Sequence, residues 1–292
     1  MPDLSFSPMA TIQPKTYTLR FGSRLYRLDR PNVMGILNIT PDSFFRGSRA
    51  ADESAVLRMA EEMLVQGADF LDVGGYSTRP GAAFVSGAEE QERVVMAVAT
   101  ICRNFPEAII SVDSFRSEVA KAAVEAGAHW VNDVSGGLAN PEMLTTVAEL
   151  KVPYIQMHIR KNVQEMHVTQ TYSQIELEVA RELAGSIEKA RLAGITDVVA
   201  DPGFGFSKSA DQNFQLLSKL EFLHMVDCPL LVGLSRKSMV YKMLQVSPEE
   251  ALNGTSALHT IALLKGAHIL RVHDVKAATE VIKMVELTTA HA

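Results

Sequence analysis

The sequence predicts an α/β fold: a single (β/α)8 TIM barrel with an N-terminal β-hairpin. Two observations carry that expectation. Short apolar runs alternate with longer amphipathic ones from Val33 to the end of the chain, and strands that alternate with helices pair in parallel through crossover connections. There are eight such units, a number that closes into a barrel. An open doubly wound sheet is the alternative, but no glycine-rich dinucleotide fingerprint follows the first run, as that fold would carry if it bound a dinucleotide.

Residues 1–14 hold three prolines and little pattern and read as a loose tail. TYTLRF and RLYRLD then flank Gly22-Ser23, two short strands around a tight turn. Residues 1–30 are therefore expected to form a tail and hairpin, and 31–292 the barrel domain. The expected strands are 33–38, 69–73, 108–113, 129–133, 153–157, 196–201, 229–234 and 267–272. Helical patterns lie near 53–66, 88–104, 115–126, 141–149, 173–193, 211–221, 254–265 and 275–287. Val56, Met59 and Met63 share one buried face of the first helix. Gly67, Gly127, Gly194 and Gly266 each stand just before a strand, where a left-handed helix cap needs glycine. No stretch has a linker's composition, so no second domain is expected.

Composition narrows the function classes. The net charge of −6 and pI near 5.8 argue against broad nucleic-acid binding. An anionic substrate must then be held by local cations and not by the field of the whole molecule. Cys102 and Cys228 give neither a disulfide framework nor metal-ligand spacing and read as small core residues. No signal peptide or membrane span is expected, and the chain reads as cytoplasmic. Trp130 and the 13 methionines read as core packing.

The polar residues gather where strands end: Asn38, Asp72, Asp113, Asn132 with Asp133, Met157 with His158, Asp201, Ser235-Arg236-Lys237, and Arg271 with His273. In a barrel these ends meet on one rim, where active sites are built. Asp113, Asp133 or Asp201 taken singly could be a helix N-cap; eight polar ends together exceed what capping explains. Asp113, Asn132, Asp201 and Lys237 suit a flat heterocycle with amidine-like N–H donors, because a carboxylate accepts paired N–H bonds. Arg79, Arg271 and His273 suit a phosphate group. Thr40-Pro41-Asp42-Ser43 and the run from Gly74 to Gly81 form rim loops long enough to exclude water. In Asp201-Pro202-Gly203-Phe204-Gly205-Phe206 the glycines permit close backbone approach, and Phe206 can stack on a ring. Ser238 opens a helix whose free N–H groups favour a carboxylate.

GILNITPDSF (35–44), DVGGYSTRPG (72–81), VDSFR (112–116), VNDVSGG (131–137), DPGFGF (201–206), SRKS (235–238) and RVHDV (271–275) together resemble the motif series of the dihydropteroate synthase family, in that family's order. The resemblance spans about 33–275 and implies a pterin-binding barrel. It implies a transferase of folate biosynthesis, a target of sulfonamides, that joins 6-hydroxymethyl-7,8-dihydropterin pyrophosphate to p-aminobenzoate. Carried over by position, Asp113, Asn132, Met157, Asp201, Phe206 and Lys237 would hold the pterin. Arg79, Arg271, His273 and Asn38 would hold the diphosphate, with Mg²⁺ on Asn38. Thr78, Pro80, Ser238 and Phe44 would contact p-aminobenzoate. Asp113, Lys237, Arg271 and Asp72 would carry catalysis, Asp72 by ordering the two rim loops. The resemblance also implies a homodimer, joined through late barrel helices. On this reading Arg271→Ala weakens diphosphate binding and spares free pterin.

The chain departs from the family pattern in three loops. Phe45-Arg46-Gly47-Ser48 stands for Ser-Asp-Gly-Gly, Tyr76 for a glutamate, and Ile159-Arg160-Lys161-Asn162 for Met-Gln-Gly and a proline. A pterin-binding methyltransferase of the same barrel type would share the ring-reading Asp and Asn but would not need Arg79, Lys237 and Arg271 around a diphosphate. A catalytically silent binder would show an eroded anion pocket, whereas here the anion residues are all present.

Overall fold

The computed structural model of the chain describes residues 15–39, 49–76 and 84–291. Among them, eight parallel strands form one sheet: β3 (Asn32–Asn38), β4 (Phe70–Gly74), β5 (Ile109–Asp113), β6 (Trp130–Asp133), β7 (Tyr154–Met157), β8 (Val198–Asp201), β9 (Leu231–Val232) and β10 (Ile269–Val272). β3 pairs with β4 on one side and β10 on the other, and the order runs on to β8 and β9 at the two ends. A parallel bridge from Ala200 to Leu230 joins those ends, so the sheet curls into a barrel. The open-sheet alternative is thereby excluded.

The helices alternate with the strands as the apolar pattern requires: α1 (Arg49–Val65), α2 (Gly87–Asn104), α3 (Ser117–Glu125), α4 (Met143–Leu150), α5 (Ile175–Leu192), α6 (Ala210–Ser218), α7 (Ser238–Leu244), α8 (Leu252–Leu264) and α9 (Val275–Thr289). Side chains such as Val94, Val98 and Ile101 of α2 pack between helix and sheet with Leu71 and Val73 of β4. The glycines expected to end helices all have positive φ. Gly127 shows why: φ is 118°, and a Cβ there would lie 2.7 Å from the Cys102 sulfur. The pattern near 211–221 is not one helix. α6 stops at Ser218, and Leu220–Val226 continues as a tighter 3-10 stretch.

The hairpin is present as β1 (Tyr17–Phe21) and β2 (Arg24–Leu28), antiparallel around Gly22. It packs across the end of the barrel at which the strands begin. Leu19, Phe21 and Leu28 meet one residue from every barrel strand: Met34, Phe70, Ile109, Trp130, Ile155, Val199, Leu231 and Ile269. Phe70 and Phe21 meet Trp130 edge to face, at centroid distances of 4.9 and 5.4 Å, an arrangement that favours aromatic pairs beyond their area. Trp130 is thus core, as expected. The lower end of the barrel is filled and capped, so the opposite rim is the end left for chemistry.

Candidate active site

Strand register assembles the rim. Asn38 pairs with Gly74, Gly74 with Asp113, and Asp113 with Asn132, so four strand ends stand in one row. Across the barrel Met157 pairs with Asp201. The absent side chain at Gly74 matters here: a Cβ would sit 3.5 Å from Asn38 Oδ1 and 3.4 Å from Asp113 Cβ, filling the space between them.

Arg271 is the hub of one half. Its Nε donates to Asp72 Oδ2 at 2.6 Å and its Nη2 to Asp113 Oδ2 at 2.5 Å. Asn132 Nδ2 donates to the same Asp72 oxygen at 2.9 Å. Asp72 is fully buried, and the Arg271 side chain is 17% exposed. One guanidinium therefore serves two carboxylates, and negative charge is in excess. Burial and the neighbouring Asp72 outweigh the attraction of Arg271 and push the Asp113 carboxyl up to about 7. Burial works against the Arg271 charge, but the two aspartates outweigh it and raise its affinity for a proton.

Lys237 organises the other half. Its Nζ donates to the Phe204 carbonyl and lies 4.5 Å from the centre of the Phe206 ring, a cation–π contact. Burial lowers the Lys237 ammonium to about 8, partly resisted by Asp201 and Asp113. Burial raises Asp201, which is opposed by Lys237 and by the Gly203 N–H donating to Oδ1 at 2.7 Å. Met157 and Phe206 share a small apolar cluster with Val134, Ile159 and Met166. A flat ring entering here meets a greasy wall on one side and buried carboxylates on the other, the composition expected of a specific ligand pocket.

His273 lies two residues beyond Arg271 and approaches Ser235 Oγ with Nδ1 at 3.2 Å. Ser238 is exposed at the start of α7, next to Lys237. Phe44, Thr78, Arg79, Pro80 and the 40–43 segment, with Phe45-Arg46-Gly47-Ser48, lie outside the described residues, so the loop-ordering role expected of Asp72 concerns segments beyond them.

The capping reading of the aspartates fails. The N-caps of α3, α4 and α6 are Arg116, Glu142 and Ser209. Asp133 instead ties its own loop, accepting from Ser135 N, Ser135 Oγ, Gly137 N and Tyr154 Oη at 2.7–2.8 Å. Three supporting contacts pair residues whose partners carry no sequence signal. Arg236 makes a two-point ion pair with Asp274 at 2.9 and 2.5 Å, joining the segments that carry Lys237 and His273. Tyr76 meets Phe115 edge to face at 5.3 Å, and Arg116 lies over both rings while pairing with buried Glu90. Arg160 pairs with Glu178 and Glu182 and stacks on Tyr172 at 3.8 Å. The last two show that the unusual residues at 76 and 160 have their own anchors.

The chain is similar to known proteins over most of its length. The family described as Pterin binding enzyme matches residues 34–273. Dihydropteroate synthase of Escherichia coli is 43% identical over 263 residues, 89% of this chain and 93% of that protein. The solved Xanthomonas albilineans dihydropteroate synthase with 4-aminobenzoic acid is 39% identical and superposes with a TM-score of 0.86, covering 94% of this chain and 99% of its own. The Yersinia pestis dihydropteroate synthase structure with a sulfonamide drug is 40% identical with a TM-score of 0.87, covering 94% and 100%. A rim built from paired carboxylates, an asparagine, a lysine and an arginine, on a barrel alike over nearly its whole length, places the chain in the dihydropteroate synthase family of pterin-binding enzymes.

Proposed function

We propose that the rim divides as its two hubs suggest, with Asp113, Asn132, Met157, Asp201, Phe206 and Lys237 holding the pterin and Arg271, His273, Asn38 and Arg79 holding the diphosphate. The observation that carries this assignment is Arg271 bridging Asp72 and Asp113 beside Asn132, with Lys237 facing them. The chain is a transferase that joins 6-hydroxymethyl-7,8-dihydropterin pyrophosphate to p-aminobenzoate.

The bond from the pterin methylene carbon to oxygen breaks, the electron pair leaves with pyrophosphate, and the aniline nitrogen forms the new C–N bond and loses a proton. Arg271 and His273 would offset charge developing on the leaving group. Asp113 and Asp201 would accept ring N–H donors, and their buried negative charge would favour the electron-poor methylene. The exposed Ser238 hydroxyl would meet the p-aminobenzoate carboxylate, with Thr78, Pro80 and Phe44 contributing from the rim loops. Asp72 would hold Arg271 and Asn132 in place.

Mg²⁺ fits this donor set. Among the described residues no three acidic, His or Cys side chains converge as a metal cage, but Mg²⁺ on a substrate phosphate needs only one or two protein ligands. The Asn38 amide oxygen, with space kept beside it by Gly74, would supply one. When bound there with the diphosphate, Mg²⁺ would supply charge neutralisation.

Among the described residues no helix is long and apolar enough to cross a membrane. Small soluble substrates and two free cysteines suit a reducing cytoplasm. Exposed Met243 and Leu244 on α7, Leu252 on α8, and Met284 and Leu287 on α9 support a homodimer through these helices; light scattering after gel filtration tests it. Sulfonamide binding is expected at the p-aminobenzoate position.

The test of function is pyrophosphate release from the pterin diphosphate and Mg²⁺, with and without p-aminobenzoate, with the product weighed by mass spectrometry. Release coupled to dihydropteroate is expected. Tight pterin binding without joined product would turn the reading to a methyltransferase or a silent binder.

A further inference from the structure

Behind the pterin half lies a second lysine that the reaction does not use. Lys208 is 7% exposed, and its Nζ is surrounded by three acceptors: the Gly203 carbonyl, the Phe206 carbonyl and His158 Nδ1, each at 3.1 Å. Burial lowers the Lys208 ammonium to about 7, partly resisted by Asp201; in its charged form it has three protons to give and accepts nothing, so this three-acceptor shell satisfies it. The bond fixes the imidazole tautomer: Nδ1 accepts, and Nε2 carries the proton it donates to Glu182 Oε2 at 2.9 Å. Burial and Lys208 lower His158 to about 4, which keeps the ring neutral. Glu182 is in turn gripped by Arg160, whose Nε lies 3.0 and 3.1 Å from its two oxygens. The chain Lys208–His158–Glu182–Arg160 thus runs from the 203–206 turn out to α5.

The turn is the same one that Lys237 holds from the site side, through the Phe204 carbonyl and the Phe206 ring. It has little slack. Gly203 has φ 66°, and a Cβ there would lie 2.1 Å from the His158 carbonyl oxygen. We propose that Lys208 is a positioning residue for the pterin pocket: set against His158, its buried ammonium clamps the 203–206 turn from behind and fixes Phe206 and the Phe204 carbonyl that Lys237 binds. The proposal rests on the pterin reading above. Lys208→Met keeps the length of the side chain but takes the donor from His158 Nδ1 and the Phe206 carbonyl and leaves the Gly203 carbonyl only the Phe206 N–H at 3.2 Å, so the turn must shift to satisfy them.

The test is calorimetric binding of free 6-hydroxymethylpterin and, separately, of pyrophosphate with Mg²⁺, by the full chain and by Lys208→Met, His158→Leu and His158→Gln. Thermal melts run alongside. Gln offers an acceptor toward Lys208 and an N–H toward Glu182, whereas Leu offers neither. Lys208→Met and His158→Leu should weaken pterin binding by about tenfold or more, ~1.4 kcal/mol. They should leave pyrophosphate within about twofold, and His158→Gln should keep pterin binding within about threefold. A folded Lys208→Met that binds pterin like the unaltered chain overturns the proposal. So does equal loss of pterin and pyrophosphate, which marks general damage. Should Lys208→Met fail to fold, the two His158 variants decide, and identical pterin affinities for them overturn the proposal. An unaltered chain that binds no pterin defeats the pterin reading itself, a separate result that takes this proposal with it.

Discussion

Arg271→Ala tests the hub most directly. The substitution removes the cation between Asp72, fully buried, and Asp113, 13% exposed. Leaving one buried carboxylate without its partner costs about 3–5 kcal/mol. Two carboxylates lose their cation, Asp72 keeping the Asn132 N–H, but the Asp113 carboxyl already titrates at about 7 and takes a proton readily. The uncompensated charge is therefore mainly that of Asp72, and the expected loss is ~3 kcal/mol. Without the guanidinium the Asp113 carboxyl binds its proton more tightly in the folded state, so the loss should shrink as pH falls. Urea unfolding at pH 8 and pH 6 reads this out: a deficit of ~3 kcal/mol at the higher pH, clearly smaller at the lower. On the ligand side, losing charge-assisted bonds of about 1.5–3 kcal/mol should weaken pyrophosphate by roughly 10- to 150-fold. The sequence alone suggested that free pterin would be spared. Arg271 also holds Asp113, so a smaller pterin loss is expected as well. An unchanged urea midpoint at both pH values would refute the reasoning, as would equal fold losses for pyrophosphate and pterin.

The remaining predictions concern stability and its pH dependence. Asp113 has a folded pKa raised from the ordinary value of 3.8 to about 7. Its contribution is therefore fully present below pH 3.8 and lost as pH rises through 7. At ~1.4 kcal/mol per unit the upper limit is about 4 kcal/mol, so Asp113→Asn should gain on the unaltered chain between pH 4.5 and 7.5 in urea midpoints; parallel profiles would contradict this. Gly203→Ala combines positive φ with a Cβ 2.1 Å from the His158 carbonyl and should cost ~2–4 kcal/mol in thermal unfolding, with pterin affinity lost. Trp130→Ala empties the capped end of the barrel and should cost ~3–5 kcal/mol, yet leave the KM values of the folded fraction unchanged, because the rim is at the opposite end.

The strands were legible because they are buried on both faces and read as continuous apolar runs; observed and expected bounds differ by at most two residues at either end of each strand. The rim was legible because polar residues at successive strand ends converge only if the sheet closes. The partner of each polar residue was not legible. Arg271 and Asp72 are 199 positions apart, and nothing local to either says that they pair. Capping seemed as good an account of Asp113 and Asp201 until the caps turned out to be Arg116 and Ser209. Lys208, two residues past Phe206 in a polar, turn-rich segment, has the sequence context of a surface cation; only its three acceptors show otherwise. The helix near 211–221 was overrun because the apolar period continues through Leu220 and Leu223, which are buried by a 3-10 stretch instead.

The charge arrangement of the described rim has a consequence for the order of binding. Asp72, Asp113 and Asp201 face Arg271 and Lys237, so the site carries more acid than base before any ligand enters. The Arg271 guanidinium that the diphosphate needs is tied to Asp113, and the Asp113 carboxylate that the pterin needs is tied to Arg271. A pterin whose N–H groups take over the Asp113 oxygens lowers the cost of turning the Nη2 of Arg271 toward phosphate, and a diphosphate that claims Arg271 frees Asp113 for the ring. Binding free energies are reciprocal, so each ligand must tighten the other by the same factor. Allosteric couplings of ~1–3 kcal/mol correspond to about 5- to 150-fold, and the lower end suits a single exchanged hydrogen bond. Titrating pyrophosphate with and without saturating 6-hydroxymethylpterin should therefore show about fivefold tighter binding in its presence, and the effect should vanish in Arg271→Ala. Affinities that do not depend on the other ligand would mean that the Asp113–Arg271 bond survives binding, and that the two halves of the rim act independently.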